Sequence, residues 1–390
     1  MNERISSELN KVCASVGLND RVRFYAGDTV GVLKTVAPYG KVAVLYAKNT
    51  FLEKGKEFSA RLKSAGITPL NFILPDGVSL TPKNVFDVID VPEDVRAIVY
   101  CDAMLTDIAA YLATVFNIPV ICTLYSVNTE NLIGACLPFF WNDKTDFFNA
   151  HCDYHIILDI NPESGDIAEQ YISVLSKLPA LTDYRVKLKV CGGSPQKEAY
   201  NLIKSAVVSA LTLKSSPEET LIISGLKIEL ANLLSGGEII CNSAEYAFKR
   251  LNRFAVSSGT AFSFFEKQMR LYALCAAENE MPFAVPDYNA RASELASLTE
   301  SDDGAFLRGL KTQTGLMKKL NFAEIKSEFK TELLSQEGAI KTAEKQYLLF
   351  GGKKCEDFSP FIPAFKLSGD LPNSFNFMTV LRESGFTENL

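Results

Sequence analysis

Histidine is almost absent from this chain: His151 and His155 are the only two among 390 residues. That scarcity removes the commonest side chain for ligating a transition metal or moving a proton near neutral pH. Cys-x-x-Cys pairs, a Gly-x-Gly-x-x-Gly turn and a Walker-type phosphate loop are missing as well. No apolar run approaches the roughly 18 residues that a membrane helix needs. The polar start MNERISSELNK lacks an apolar h-region, so no secretory leader is expected. Neither charge dominates: 40 basic residues face 46 acidic ones, a net charge of −6. This balance argues against nucleic-acid and anionic-membrane partners, leaving room only for a local basic pocket. Nine scattered cysteines, an odd number, read as reduced thiols of a cytoplasmic protein.

What is present is a chain long enough for two cores, 47% hydrophobic and 22% charged. Its first part alternates short apolar runs with helical patterns. Lys41–Tyr46, Pro69–Leu74, Val95–Tyr100, Pro119–Leu124 and His155–Ile160 read as strands. Helices are expected over 51–65, with Gly66 as the C-cap glycine, over 81–89 and over 102–116. This alternation predicts a parallel, Rossmann-like sheet with helical crossovers. Beyond Pro162 long helical periods take over: 196–214, 218–234, 243–254, 261–278, 303–319 and 323–334. The expected organisation is an α/β nucleotide-binding-like domain over 1–162 and an all-helical domain over 163–390. After Gly351 an irregular tail with one short last helix is expected.

Three stretches, in this order, resemble the sn-glycerol-1-phosphate dehydrogenases. These belong to the larger group of iron-containing alcohol dehydrogenases, glycerol dehydrogenases and dehydroquinate synthases. The stretches are Ala47-Lys48-Asn49-Thr50-Phe51-Leu52-Glu53-Lys54-Gly55, then Ser176-Lys177-Leu178-Pro179-Ala180-Leu181-Thr182-Asp183-Tyr184, then Leu221-Ile222-Ile223-Ser224-Gly225 followed by Ser243-Ala244-Glu245-Tyr246. The resemblance implies a dehydroquinate synthase-like fold over nearly the whole chain, with NAD(P) and a metal in the active members.

The departures fall on functional positions. Where the family has a glycine turn to cradle the pyrophosphate, this chain reads Cys101-Asp102-Ala103-Met104-Leu105-Thr106-Asp107, keeping only the final Asp107. A carboxylate at Asp102 about 5 Å from a phosphate charge would cost about 3 kcal/mol, roughly a hundredfold in affinity. The plainer reading makes Asp102 the cap of the following helix. The family's ribose-binding acid aligns with Ala47. Lys48 beside it either meets a 2′-phosphate or is a solvated lysine. The family's Pro-Thr-x-x-Ser loop aligns with Leu124–Asn128 and brings Tyr125 to that position. The cofactor-related positions are therefore Ala47, Asn49, Thr50, Cys101, Asp102, Ala103, Asp107 and Tyr125.

The implied metal ligands, one Asp and two His, align with Ser173, Tyr246 and Ser258. Serine is a poor divalent ligand, and tyrosine binds mainly as phenolate. His151 and His155, separated by Cys152, Asp153 and Tyr154, enter a strand on which residues four apart lie about 13 Å from each other. Cys191, at the expected start of a helix near Pro195, is considered as a nucleophile but has no histidine close in sequence. Lys177 is the candidate contact for a substrate phosphate.

These residues lead to an expectation of no metal and no cofactor, with NAD(P) as the alternative. The expected function is a catalytically degenerate relative of the glycerol-1-phosphate and glycerol dehydrogenases. It would act as a homodimeric binding or regulatory protein with a small molecule in an interdomain cleft. The alternative is an active NAD(P)-dependent oxidoreductase acting on a polyol or polyol phosphate through a rebuilt site.

Overall fold

The computed structural model describes residues 1–37, 40–77, 79–86, 90–100, 102–141, 144–161, 165–213, 216–237, 243–251, 256–277, 283–299, 303–319, 321–355, 361–371 and 375–389. The chain divides into two compact units, Met1–Gln170 with Leu213–Gly237, and Tyr171–Thr212 with Glu238–Leu390. Among the described residues no helix is long and apolar enough to cross a membrane.

The first unit runs α1 (Asn2–Ser15), β1 (Val22–Ala26), α2 (Thr29–Val36), β2 (Lys41–Ala47), α3 (Lys48–Thr50), a π-helical turn (Phe51–Gly55) and α4 (Lys56–Ser64). It continues with β3 (Thr68–Leu74), α5 (Pro82–Phe86), β4 (Val95–Tyr100), a 3-10 turn (Ala103–Leu105), α6 (Thr106–Phe116), β5 (Val120–Leu124), β6 (Cys136–Trp141), β7 (Lys144–Asn149) and β8 (Tyr154–Leu158). Six strands form one sheet in the order β1-β8-β5-β4-β2-β3, every neighbouring pair parallel. β2 shows why: all its residues after Lys41 are buried, which an apolar run achieves only with both sheet faces covered. Val42, Val44 and Tyr46 alternate onto one face, where Val30 and Leu33 of α2 and Phe58 and Leu62 of α4 cover them. α6 ends at Asn117, whose left-handed backbone (φ 52°) is tolerated by a short polar side chain. Gly66 likewise has φ +81° just past α4, as its sequence position predicts. β6 and β7 form a separate antiparallel pair that strand patterning did not pick out.

The second unit contains the end of α7 (Ile167–Leu175), then α8 (Lys177–Cys191) and α9 (Lys197–Leu211). α10 (Pro217–Ser235) opens on a proline at its first turn and closes on a left-handed Gly236. Although it follows in sequence the helices of the second unit, it folds with the first. Its Glu219 pairs with Arg4, its Lys227 with Glu8, and its Glu229 accepts the N–H groups of Asn131 and Ile133. α11 (Ser243–Leu251), α12 (Ser258–Ala277), α13 (Tyr288–Thr299), α14 (Asp303–Met317), α15 (Phe322–Leu349), α16 (Phe361–Asp370) and α17 (Phe377–Glu383) complete the second unit. The helix expected over 323–334 runs on to Leu349. The tail holds α16 as well as α17: Phe361, Ala364, Phe365 and Ser368 repeat at helical spacing and are all buried. Proline and phenylalanine content had hidden that period. The architecture is thus a parallel α/β first unit followed by a helical region, as the sequence predicts.

Candidate functional site

The sheet order locates the crevice. From β2 the chain moves outward to β3, whereas from β4 it moves the other way to β5. Connections that part in opposite directions leave a gap at the carboxyl ends of the strands between them, the usual ligand position in an open parallel sheet. A cavity of about 620 Å³ lies there. Tyr46 contributes from β2, Asp102 from the turn after β4, Tyr125 from the residue after β5, and Asp159 and Asn161 from the segment after β8. Thr50, Glu53, Lys54, Glu57, Phe58 and Arg61 line it from the helical segment that follows β2. Strand pairing continues past β5 and β8: the N–H groups of Asp159 and Asn161 donate to the carbonyls of Leu124 and Tyr125.

Asp102 does not cap the helix behind it. No N–H of that helix bonds its side chain. One carboxylate oxygen accepts from the Ala47 N–H at 3.1 Å and the other from the Thr50 hydroxyl at 2.6 Å. A carboxylate carried on the turn after β4 thus stands at the end of β2, beside Ala47. Arg61 forms an ion pair with Asp28, the residue that caps α2 by accepting from Gly31 N–H. Burial and the neighbouring Asp28 raise the Asp159 carboxyl, with Arg61 opposing them. Tyr125 Oη lies 3.4 Å from Thr29 Oγ1.

Ala47, Thr50, Asp102 and Tyr125 are thus brought to one place. Asn49 and Ala103 stand beside the cavity without lining it; the Asn49 N–H donates to Asp76. Asp107 sits in the first turn of α6, where burial pushes its carboxyl up to about 6. Cys101 lies outside the described residues. Glu53, Glu57, Arg61, Asp159 and Asn161 were missed by motif reading. Their signal is positional, since polar residues just past an apolar strand lie at the ligand-binding edge.

Ser173 falls on α7, Tyr246 on α11 and Ser258 at the start of α12. The side chain of Tyr246 lies outside the described residues. Ser258 Oγ accepts from Tyr347 Oη at 3.4 Å. Glu245, next to Tyr246, is held by Lys249 at 2.9 Å and Lys177 at 3.9 Å. Burial acts to raise its carboxyl, yet the two lysines hold it below the usual range. Lys177, the first residue of α8 and 14% exposed, therefore spends its charge on this acid. Cys191 ends α8 rather than starting the next helix, and burial raises its thiol. The placement differs from the expected turn just before a helix start, and the nucleophile role set aside in the sequence gains no support from it. His155 sits on β8 with Nδ1 2.9 Å from Tyr25 Oη on β1; burial and Arg23 lower its imidazole.

At the level of sequence no family model matches the chain, and no curated protein does. Solved structures do match. An archaeal halo-thermophilic alcohol dehydrogenase from a Red Sea brine pool gives a TM-score of 0.54 at 12% identity, over 93% of this chain and 96% of that one. The iron-containing alcohol dehydrogenase of Thermococcus thioreducens gives 0.53 at 11%, over 93% and 98%. A 1,3-propanediol oxidoreductase gives 0.51 at 13%, over 93% and 97%. The fold is that of the iron-containing alcohol dehydrogenases. It is the dehydroquinate synthase-like fold that the sequence motifs imply.

This likeness corrects the expectation of no cofactor and no metal, because the fold is shared with dehydrogenases of which one is iron-containing. The expectation scored aligned positions singly, whereas in the fold a carboxylate reaches the end of β2 from the turn after β4. For a nucleotide, the residues at the sheet edge fit the nucleoside part: an anchored carboxylate, a cavity and the aromatic rings of Tyr46, Phe58 and Tyr125. The pyrophosphate turn fits less well, since Ala103 and Met104 place side chains where glycine would leave amides open. For a metal, the aligned positions carry serine, tyrosine and serine. Among the described residues no three His, Cys, Asp or Glu side chains gather for an ion. That donor set does not fit a divalent metal, and no chemical step is derived through one.

Proposed function

We propose that this chain is a binding or regulatory protein on the glycerol-1-phosphate dehydrogenase side of this fold. In this reading it takes an adenine nucleotide at the carboxyl edge of the first unit's sheet without turning over an alcohol. The observation that carries the reading is the Asp102 carboxylate fixed at the end of β2. It is held there by Ala47 and Thr50 and faces the cavity at the point where the strand order reverses. A carboxylate only accepts hydrogen bonds, so it selects a ligand that brings donors, as the hydroxyls of a ribose do. The binding role is supported by Glu245 and Ser258, whose polar groups already serve Lys177, Lys249 and Tyr347.

Calorimetry with AMP, ADP-ribose, NAD and NADPH tests it, alongside absorbance assays with glycerol, 1,3-propanediol and sn-glycerol-1-phosphate. The expected result is saturable nucleotide binding with no reduced cofactor formed. Steady reduction of NAD or NADP by any of these alcohols would favour the second reading, a working polyol oxidoreductase, which rests on the shared fold. Absence of binding by all four nucleotides would sink the proposal.

A further inference from the structure

We propose that Asp183 is a pH-responsive catch for α17, holding this last α-helix closed while its carboxyl is neutral and loosening it once the carboxyl is charged. Asp183 lies in the middle of α8 and is buried. Its Oδ1 accepts from the N–H of Phe377, the first residue of α17, and from Tyr272 Oη on α12, both at 2.9 Å. Gln268 Nε2 donates to the same Tyr272 Oη at 3.0 Å. Oδ2 is buried and has no partner. A neutral carboxyl tolerates that burial far better than an anion does.

Charged groups on the neighbouring elements pair with one another: on α12, Glu266 pairs with Arg270 and with Lys354. Arg185 and Lys189 of α8 pair with Glu324, Glu328 and Glu332 of α15. Arg382 of α17 pairs with Asp370 of α16 and Glu294 of α13, and Glu383 of α17 with Arg291 of α13. Tyr200 of α9 interacts with Arg185. Among the described residues, the groups that act on Asp183 besides burial are Tyr272 and the Phe377 amide, and both favour its anion. Burial outweighs them and pushes the carboxyl up to about 7.

Opening α17 would return Asp183 to water, where a carboxyl titrates near 3.9. The closed state therefore holds the proton more tightly than the open one. Its stabilisation is complete below about pH 4 and is lost as pH rises through about 7. Between those values the open population grows about tenfold per pH unit, and above 7 it levels off. Burial raises the Glu383 carboxyl too, against the opposing Arg291, so it acts in the same direction.

The test is hydrogen–deuterium exchange of residues 375–385 in the full chain from pH 5 to 8, corrected for intrinsic exchange. The wild type should show a rise of about tenfold per unit or more that flattens once Asp183 has titrated. Asp183→Asn keeps the acceptor but cannot titrate, so it should remove that factor of about ten per unit whatever Glu383 contributes. Tyr272→Phe deletes a donor to the anion and should move the plateau to higher pH while the fold persists. An Asp183→Asn slope equal to wild type overturns the proposal. So does a Tyr272→Phe plateau at the wild-type pH, which also decides the matter if Asp183→Asn does not fold.

Discussion

The turn after β4 and the helix-borne glycines have met opposite fates in this chain. At the turn, where the family resemblance calls for glycine, Asp102, Ala103 and Met104 stand instead, and Met104 is 52% exposed. On α10, Gly225 is retained, and a Cβ there would come within 1.9 Å of Thr129 Oγ1 and 2.3 Å of Gln170 Nε2. At the start of α12, a Cβ on Gly259 would come within 1.9 Å of the Lys353 carbonyl oxygen. The lesson is about which constraint keeps a residue. A glycine that makes room for a ligand can change when the ligand or its pose changes. A glycine that makes room for the protein's own atoms cannot.

The sharpest way to break this comparison is Gly225→Ala. The intruding methyl would displace both Thr129, whose N–H donates to Gln170 Oε1, and Gln170, whose Nε2 donates to Thr129 Oγ1. A loss of about 3 kcal/mol is expected in urea unfolding. A loss below about 1 kcal/mol would mean that this glycine, too, is free to vary.

On the other side of the comparison, Asp102→Asn tests whether the substituted turn has gained a role. The carboxamide can still accept from Ala47 or Thr50, so stability should fall by only about 1 kcal/mol. Nucleotide affinity should weaken by about tenfold in calorimetry, a loss of about 1.4 kcal/mol. Equal affinity in variant and wild type would reduce Asp102 to a tether between β2 and β4.

A smaller effect is expected at Gly315 on α14, where a Cβ would meet nothing within 4 Å. Gly315→Ala should raise stability by up to about 1 kcal/mol through helix propensity alone. Destabilisation there would undermine the claim that contact, rather than helical position, decides which glycines stay.

The smallest effect concerns the α/β unit. His155 on β8 is lowered by burial and Arg23, so the neutral ring stabilises the fold above the unfolded value near 6.5. That contribution disappears as pH falls below it. Thermal melts from pH 7.5 to 5.5 should show a decline that His155→Asn flattens.

β2, β4 and β5 were legible because their apolar runs are continuous, as strands buried on both faces must be, whereas the edge strand β1, with Arg23 exposed in its middle, was not picked out. The helices with one apolar face were legible for the same reason. α10 was readable as a helix but not as a member of the first unit, since nothing in its period says which core it joins. At the site, Thr50, Asp102 and Tyr125 were found by motif position. Asp159, Asn161 and Arg61 were not, because they belong to no contiguous motif and meet only through the sheet's strand order.

From the amino-acid order alone come most of the helices and strands, the parallel character of the sheet and the C-cap glycine Gly66. Each of these follows from local periodicity or sterics. Only the tertiary structure decided that the Asp102 carboxylate reaches the end of β2 from the turn after β4, and that Lys177 pairs with Glu245. Both contacts join residues more than fifty positions apart, and strand order and helix packing, rather than local pattern, set which distant side chains share a place.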